Sequence, residues 1–272
     1  MLVFMKYKKA QKKETLTMHN TLKIRSVEIG TNQPKIVVPI AENKFGEILK
    51  KAEYLRYRQI DIVEWRADFY EDVFDTGLTL KLLSLLRTTL EDIPLLFTFR
   101  TKNEGGEKEI SMEGYTRLNI AVAQSAKVDL IDLEMFSSDD IVVENINAIH
   151  GAGVFVIGSN HNFQATPPKD ELVSRLYKMQ DMGADIIKIA VMPSTMSDVL
   201  TLLAAANEMY EVYADRPIVA ISMSSKGVIS RLAGEAFGSA MTFGTVGKTS
   251  APGQIQVEDL AQVLDIFHRN IL

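Results

Sequence analysis

Short apolar runs alternate with longer amphipathic stretches along most of the chain. The runs are rich in Val, Ile and Phe and are bounded by Pro, Gly or Asp, which is typical of buried strands. They predict eight strands: Lys35–Ile40, Ile60–Arg66, Leu95–Arg100, Val128–Phe136, Val154–His161, Ile186–Val191, Ile218–Met223 and Met241–Gly244. The stretches between them predict helices: Phe45–Tyr57, Leu78–Glu91, Met112–Ser125, Asp139–Ala152, Asp170–Met182, Met196–Tyr213 and Val257–Phe267. Such a succession indicates parallel strands joined by right-handed crossovers.

This alternation fits two architectures, a doubly wound open sheet and a closed barrel. The first strand is followed by Pro39-Ile-Ala-Glu42 and not by a Gly-rich dinucleotide loop. Polar and charged residues stand at the C-terminal ends of many strands, where a barrel builds its active site. We therefore predict an α/β fold, a (β/α)8 TIM barrel, in which Thr21–Gly30 forms an N-terminal hairpin that closes the bottom of the barrel.

The chain length supports one folded domain. The chain has 272 residues, and α/β barrels commonly form one domain of roughly 200–250 residues, so residues 21–272 are predicted to be a single barrel domain. Residues 1–20 carry five lysines, and their only apolar cluster, Leu2–Phe4, comes before these charges. A secretory signal has the opposite order. We expect residues 1–20 to be a flexible N-terminal extension.

Composition and charge exclude several classes of protein. Hydrophobic residues make up 46% of the chain and charged residues 24%, which indicates a globular protein and not a disordered one. There is no cysteine, which excludes disulfides and thiolate metal sites and suits a cytoplasmic localisation. The net charge of −5 argues weakly against nucleic-acid binding. No apolar run approaches the ~18–20 residues of a membrane span, so no membrane partner is expected.

Charged residues recur on strands that should be buried on both faces. Because side chains alternate across a strand, Glu64 and Arg66 share one face, which points into the barrel if Trp65 faces the helices. Arg100 ends the next strand, and Glu104 follows it shortly before a Gly-Gly turn. A structural ion pair between Glu64 and Arg66 would explain the first two charges, and an incidental ion pair between Arg100 and Glu104 would explain the other two. Buried charges are costly unless they are paired, however, so their repetition favours a functional site.

Three further strands carry polar residues on the inward face. Asp132 and Glu134 share a face of the fourth strand, which favours function only slightly because lumen carboxylates can simply neutralise basic residues. His161 closes an inward-facing strand end, and Lys188 stands among isoleucines. Lysine is rarely buried in such surroundings. Desolvation disfavours the charged amine, and the neutral amine can attack a ketone or aldehyde to form a Schiff base; a lumen salt bridge is the alternative.

The last third of the chain contains the Gly- and Ser-rich segment 224–254. Its fragment Gly244–Thr249 lacks the spacing of a phosphate-binding loop. The composition predicts a mobile loop over the barrel mouth, a lid that orders when an anionic substrate arrives. Arg231 is the expected anion clamp in this segment, since a guanidinium can hold a carboxylate through two hydrogen bonds.

Five motifs in this order resemble the type I 3-dehydroquinate dehydratases, from about Thr21 to Leu272. They are Glu64-Trp-Arg-Ala-Asp68, Phe97-Thr-Phe-Arg-Thr-Lys-Asn-Glu-Gly-Gly-Glu107, Ser159-Asn-His-Asn-Phe163, Lys188 within its strand, and Ser250-Ala-Pro-Gly-Gln254. Each motif is weak alone, but together they are specific. The chain departs from the family pattern beside the histidine, where Asn160 and Asn162 stand in place of the frequent Tyr and Asp.

The resemblance implies a reaction and a site. The reaction is the dehydration of 3-dehydroquinate to 3-dehydroshikimate through a lysine Schiff base, a lyase step of the shikimate pathway of aromatic amino-acid biosynthesis. Lys188 matches the imine-forming lysine, His161 the proton donor and acceptor, and Glu104 the carboxylate that orients this histidine. Arg231 matches the arginine that binds the substrate carboxylate. Further matches to substrate-binding positions are Glu64, Arg66, Arg100, Ser250 and Gln254. The family needs no metal or organic cofactor, and its members are often homodimers.

Two other functions remain open at this point. A Schiff-base aldolase of the transaldolase type also uses a strand lysine in a barrel, although its phosphosugar substrates would need a phosphate cradle. A non-catalytic barrel that binds a small carboxylate is the other alternative. A lysine that borohydride cannot trap would favour the binding protein.

Overall fold

The computed structural model describes residues 21–247 and 253–271. The predicted extension at residues 1–20 and the candidate Ser250 therefore lie outside the described residues. Within the described ranges, no helix combines the length and apolar character that a membrane span requires.

The described strands and helices alternate along the chain as the pattern predicts. The strands are β1 (Leu22–Ile24), β2 (Val27–Ile29), β3 (Lys35–Ile40), β4 (Ile62–Arg66), β5 (Leu95–Thr98), β6 (Leu130–Glu134), β7 (Phe155–Asn162), β8 (Ile186–Val191), β9 (Ile218–Ser222), β10 (Met241–Thr245) and β11 (Ile255–Gln256). The helices are α1 (Phe45–Leu55), α2 (Thr76–Leu90), α3 (Met112–Gln124), α4 (Asp139–Gly151), α5 (Lys169–Asp181), α6 (Met196–Glu208), α7 (Val228–Leu232) and α8 (Val257–Ile271).

The strands β3 to β10 form one curled parallel sheet. Strand β10 pairs with β3, and each strand from β3 to β8 pairs with the next strand along the chain. The remaining seam lies between β9 and β10. There the Ala240 amide donates to the Ile218 carbonyl oxygen at 2.7 Å, and Ile218 forms a parallel bridge with Ser239. The sheet thus curls back on itself, which confirms the predicted barrel and excludes the doubly wound alternative.

Side chains on the outer face of the sheet pack against the surrounding helices. Trp65 on β4 and Phe97 on β5 are fully buried, with their rings edge to face and centroids 5.6 Å apart. Some of the helices begin at residues whose side chains cap the first turn. Asp75 accepts from the Leu78 amide at the start of α2, and Thr195 and Asp198 form a capping box at the start of α6.

The N-terminal half of the lumen is apolar, and the predicted hairpin covers it. β1 and β2 pair antiparallel, and Ile24 and Ile29 are buried in the cluster that fills this end. The same cluster contains the first inward residues of several strands: Val37, Ile62, Leu96, Leu130, Ile157 and Ile186. The charged inward residues follow two or four positions later on their strands. The fold therefore places these inward charged residues towards the C-terminal mouth, and the N-terminal half of the lumen is filled by apolar side chains.

The segment after β9 differs from the prediction. Glycine-rich composition predicted a mobile loop, but the described part contains the short helix α7, whose Ser230 and Arg231 are buried. A Cβ at Gly227 would lie 2.0 Å from the carbonyl oxygen of Ser222. Glycine is needed there because the backbone of this turn packs directly against the end of β9. The glycine at 227 therefore reflects close packing, and the ordering of this segment on substrate binding stays a prediction.

Candidate active site

The C-terminal mouth of the barrel contains a cavity that collects the predicted site. Its polar lining consists of Lys188, His161, Glu104, Glu64, Arg66, Arg100, Arg231 and Gln254. Its apolar lining includes Pro39, Phe163, Ala190, Ile221, Met223 and Phe243. Every predicted site residue that the structure describes is therefore on this cavity. No group of three or more His, Asp or Glu side chains that could hold a metal ion occurs in residues 21–247 and 253–271.

Lys188 lies on the inward face of β8 and is 4% exposed. Its Nζ atom is 3.0 Å from Oδ2 of Asp132 and 4.6 Å from the ring centroid of Phe243. We expected an amine among apolar neighbours, and Phe243 and Ala190 meet that expectation. Asp132, by contrast, is a charged neighbour, and Lys188 forms an ion pair with its carboxylate. An amine in an ion pair must give up a proton before it can attack a carbonyl carbon.

Asp132 is the residue whose importance the sequence understated. It is fully buried, and its Oδ1 accepts from Arg100 Nη2 at 2.7 Å and from the Ser159 hydroxyl at 2.5 Å. Burial alone would raise the pKa of Asp132, but Arg100 and Lys188 hold it well below its usual range. The Asp132 carboxylate is therefore charged and lies between two cations. Its inward position beside Glu134 was visible in the sequence, whereas its partners were not.

Arg100 joins several strands of the mouth. Besides Asp132, it donates from Nη1 to Glu134 at 3.1 Å and to the Ser159 hydroxyl at 3.0 Å. Glu134 also accepts from the backbone and side chain of Thr101 at 2.8 and 2.7 Å. Although burial lowers the pKa of Arg100, the surrounding carboxylates raise it well above its ordinary value. Arg100 lines the cavity, but its hydrogen bonds mainly hold β5, β6 and β7 in register.

His161 and Glu104 form a pair at the rim of the cavity. His161 Nδ1 lies 2.9 Å from Glu104 Oε2, and the same oxygen accepts from the His161 amide at 2.9 Å. The contact occupies Nδ1 and leaves Nε2 as the ring nitrogen available to the cavity. A carboxylate on Nδ1 fixes the tautomer in which Nε2 carries a lone pair. This arrangement is what a general base requires.

The surroundings of the pair determine its protonation. Burial, followed by the nearby cations Arg100 and Lys188, lowers the pKa of His161 well below its usual value. Burial also raises the pKa of Glu104 to about 7, against the opposing effect of Arg100. The imidazole is therefore neutral at physiological pH. When the pH falls through about 7, the proton that the pair takes up goes to Glu104. The site therefore holds a neutral imidazole whose Nε2 lone pair is available.

Glu64 and Arg66 line the opposite side of the cavity, as their shared face on β4 predicts. Glu64 is buried and accepts from the Thr98 hydroxyl at 2.8 Å. Arg66 donates to both oxygens of the buried Asp68 at 2.8 Å each. The Asp68 carboxylate thereby fixes the plane of the guanidinium, a role that we did not assign from sequence. Both side chains present polar groups at fixed positions to a bound molecule.

Arg231 reaches the cavity from α7, which is firmly attached to the barrel. The Ser230 hydroxyl accepts from the Ser222 amide at 2.9 Å, and the Arg231 carbonyl accepts from the Thr242 hydroxyl at 3.0 Å. Burial lowers the pKa of Arg231 to about 10, so the guanidinium is still charged at neutral pH. A buried cation that lines a cavity suits an anionic ligand. Gln254, just before β11, lies on the same cavity, and Ser250 falls outside the described residues.

Known proteins resemble this chain over almost its whole length. The family model for type I 3-dehydroquinase matches residues 36–271. A 3-dehydroquinate dehydratase from Clostridium botulinum is 52% identical over 254 residues, which are 93% of this chain and 100% of that protein. The crystal structure of a type I 3-dehydroquinate dehydratase from Clostridium difficile is 50% identical, with a TM-score of 0.91 over 93% of this chain and 99% of that one.

A more distant structure agrees in fold. The 3-dehydroquinate dehydratase from Geobacillus kaustophilus is 35% identical and has a TM-score of 0.89, over 92% of this chain and 97% of that chain. The matched residues 36–271 include all eight barrel strands and the cavity residues described above. With the cavity and the matches in agreement, the chain belongs to the type I 3-dehydroquinase family.

Proposed function

We propose that this chain is a lyase that dehydrates 3-dehydroquinate to 3-dehydroshikimate, in the shikimate pathway, through a Schiff base on Lys188. One observation carries the proposal: a buried lysine and a neutral histidine that is held by a carboxylate line the same cavity, beside a buried arginine. Imine chemistry needs the lysine, proton transfer needs the histidine, and the carboxylate of the substrate needs the arginine. Family membership decides against the transaldolase and the non-catalytic alternatives.

The first half of the reaction forms the imine. Lys188 loses a proton, and the neutral His161 Nε2 is the cavity base that can accept it. The amine attacks the C3 ketone, and a proton moves from nitrogen to oxygen to give the carbinolamine. The protonated His161 then returns its proton to the carbinolamine hydroxyl, which leaves as water and gives a positively charged iminium and a neutral His161. Asp132, 3.0 Å from Nζ, then neutralises the iminium as it neutralised the ammonium. The charge in the buried site therefore stays balanced when the amine becomes an iminium.

The second half moves one proton and expels one water molecule. The iminium draws electrons from the adjacent C2–H bond, so His161 removes this proton and leaves an enamine. The protonated His161 then donates to the C1 hydroxyl, which departs as water while the enamine electrons form the new double bond. Hydrolysis of the product imine releases 3-dehydroshikimate and regenerates Lys188. Glu104 stabilises the imidazolium that exists between the two transfers.

The remaining cavity residues bind the substrate. Arg231 takes its carboxylate, and Glu64, Arg66, Arg100 and Gln254 surround its hydroxyl groups. A rigid polar lining of this kind orients the substrate so that C3 faces Nζ and C2 faces Nε2. The resemblance adds Ser250 to the hydroxyl contacts, and this assignment stays a prediction.

The proposal includes the organisation of the enzyme. Residues 21–272 act as one catalytic domain, the protein works in the cytoplasm, and two copies form a homodimer. Size-exclusion chromatography with light scattering measures the mass of the particle, for which the monomer of 30.4 kDa is the reference. A monomer at micromolar concentration would contradict the dimer and leave the chemistry untouched.

The decisive experiment follows the conjugated enone of the product by ultraviolet absorbance after 3-dehydroquinate is added. Borohydride added during turnover should reduce the imine, inactivate the enzyme and leave a substrate-derived mass on the peptide that contains Lys188. Lys188→Ala should give neither product nor label. Lys226→Ala is the matched control, because Lys226 is exposed and off the cavity, and it should behave as wild type. A label on another lysine, or none, would overturn the assignment.

A further inference from the structure

Glu104 has a second polar partner besides His161. Its Oε1 accepts from Asn160 Nδ2 at 3.0 Å, while its Oε2 serves the amide and the ring of His161. We propose that Asn160 and Arg175 are positioning residues that fix the carboxylate plane of Glu104 and thereby hold the tautomer of His161. The proposal deepens the function proposed above and rests on it.

The orientation of the Asn160 amide is set by a partner on its other side. Arg175 Nη1 donates to Asn160 Oδ1 at 2.7 Å, so the amide nitrogen must point to Glu104. Asn160 is 7% exposed and lies on the face of β7 opposite to His161, towards α5. One buried amide thus links a surface helix to the carboxylate that holds the base.

Arg175 is itself held where it can serve Asn160. Its guanidinium pairs with Glu171, one turn earlier on α5, and lies 5.8 Å from the ring centroid of Phe136. The side chain is only 26% exposed. An arginine that is fixed on three sides keeps its donor in place, which a solvated lysine would not do.

The other groups around Glu104 cannot replace Asn160. Arg100 Nη1 is 3.5 Å from Glu104 Oε2, so its contact is with the oxygen that already contacts the amide and the ring of His161, and not with Oε1. Asp132 and Glu134 on β6 are negative, and they disfavour the charged form of Glu104. Asn160 is therefore the donor to Oε1 among the described contacts. Without it, Glu104 can rotate towards Arg100 and away from the imidazole.

The arrangement has a consequence that depends on pH. The hydrogen bond from Asn160 lowers the pKa of Glu104, which burial has raised to about 7. Removal of the donor must raise that pKa further, so Glu104 would be protonated over a wider range on the acid side. A protonated Glu104 can donate its own proton to Nδ1 as well as accept from Nδ1–H, so it no longer fixes the correct tautomer of His161. At alkaline pH Glu104 remains charged and the base is intact.

The test compares profiles of kcat against pH for Asn160→Ala, Arg175→Ala and the control Lys169→Ala. Loss of a hydrogen bond to a charged group should move the acid limb of Asn160→Ala up by about one pH unit, which is about a ten-fold lower kcat on the acid side. At alkaline pH its kcat should approach that of wild type. Arg175→Ala should shift the limb in the same direction. Lys169→Ala, on the same helix as Arg175, should not shift it, because the exposed ion pair of Lys169 with Glu208 includes neither Asn160 nor Arg175.

A second measurement needs no substrate and separates this proposal from the proposed function. The chain has four histidines, and 15N labelling with a His161→Ala reference assigns the ring nitrogens of His161. Wild type should carry its proton on Nδ1 at alkaline pH, and Asn160→Ala should show a mixture of tautomers near neutrality. An unshifted limb in either alanine variant, or a loss of kcat that is equal at all pH values, would overturn the proposal. If wild type lacks dehydratase activity, the tautomer measurement alone decides.

Discussion

Lys188 Nζ and Asp132 Oδ2 lie 3.0 Å apart although 56 residues separate them in the chain. The two residues stand on β8 and β6, which are alternate strands, and inward side chains of alternate strands share a layer of a barrel. The ion pair places the negative charge where the reaction needs it.

Asp132→Asn should destabilise the protein and slow imine formation. The change leaves Lys188 and Arg100 without their shared carboxylate, and breaking a buried ion pair costs about 3–5 kcal/mol. Denaturant unfolding measures the first effect and the rate of borohydride labelling the second. Ser159→Ala is the control, because it removes a hydroxyl from the same carboxylate and keeps the charge. It should cost only about 1 kcal/mol. Equal stability of the two variants would show that the ion pair is unimportant.

His161→Ala should separate binding from proton transfer. The variant should still form the imine, more slowly, but lose roughly 10²–10⁴-fold in kcat, the usual contribution of a general acid or base. Mass spectrometry after borohydride treatment detects the imine, and the absorbance assay measures kcat. His150→Ala is the matched control, since His150 pairs with Asp185 away from the cavity. A kcat near that of wild type in His161→Ala would assign the base to another group.

The rate of the wild-type enzyme should fall as the pH drops through about 7. Glu104 has its pKa raised to about 7, so above this pH it is charged and accepts from His161 Nδ1–H. Below this pH, Glu104 is protonated and no longer fixes the tautomer of His161. Glu104→Gln should have a lower kcat and no limb near pH 7. If Glu104→Gln still lost activity below about pH 7, the titration of another group would cause the fall.

Arg231 should act mainly through substrate binding. Arg231→Ala removes charged hydrogen bonds worth about 1.5–3 kcal/mol, so KM should rise by roughly ten-fold or more. Arg231→Lys keeps the charge but loses the planar fork, and it should lie between the alanine variant and wild type. Lys226→Ala, on the exposed part of the same segment, is the control. An unchanged KM in Arg231→Ala would show that the substrate carboxylate binds elsewhere.

Gly227→Ala should displace α7, the short helix that carries Arg231. The added Cβ would lie 2.0 Å from the Ser222 carbonyl oxygen, so α7 must shift, at a cost of about 1–3 kcal/mol in stability. We expect a lower Tm together with a higher KM. Gly151→Ala at the end of α4 is the matched control, because a Cβ there meets nothing within 4 Å. A Gly227→Ala enzyme with the Tm and KM of wild type would contradict the packing described for α7.

Local patterns in the sequence predict the architecture and most of the candidate residues. Alternating apolar runs and amphipathic stretches predict the barrel, because each element must bury its own apolar face whatever its neighbours are. The inward charges on β4, β7 and β8 were visible for the same reason, since side-chain alternation is a local property of a strand. Element ends were less certain; β6, for example, is shorter at both ends than predicted.

Which of these residues meet depends on how the strands are arranged in three dimensions. The contacts of Asp132 with Lys188 and of Asn160 with Glu104 join strands through register and closure, which no local pattern contains. The glycines near α7 show the same limit, because composition cannot distinguish a glycine that loosens a loop from one that lets two backbone segments touch. Gly227 is of the second kind, and only the nearby Ser222 carbonyl shows it.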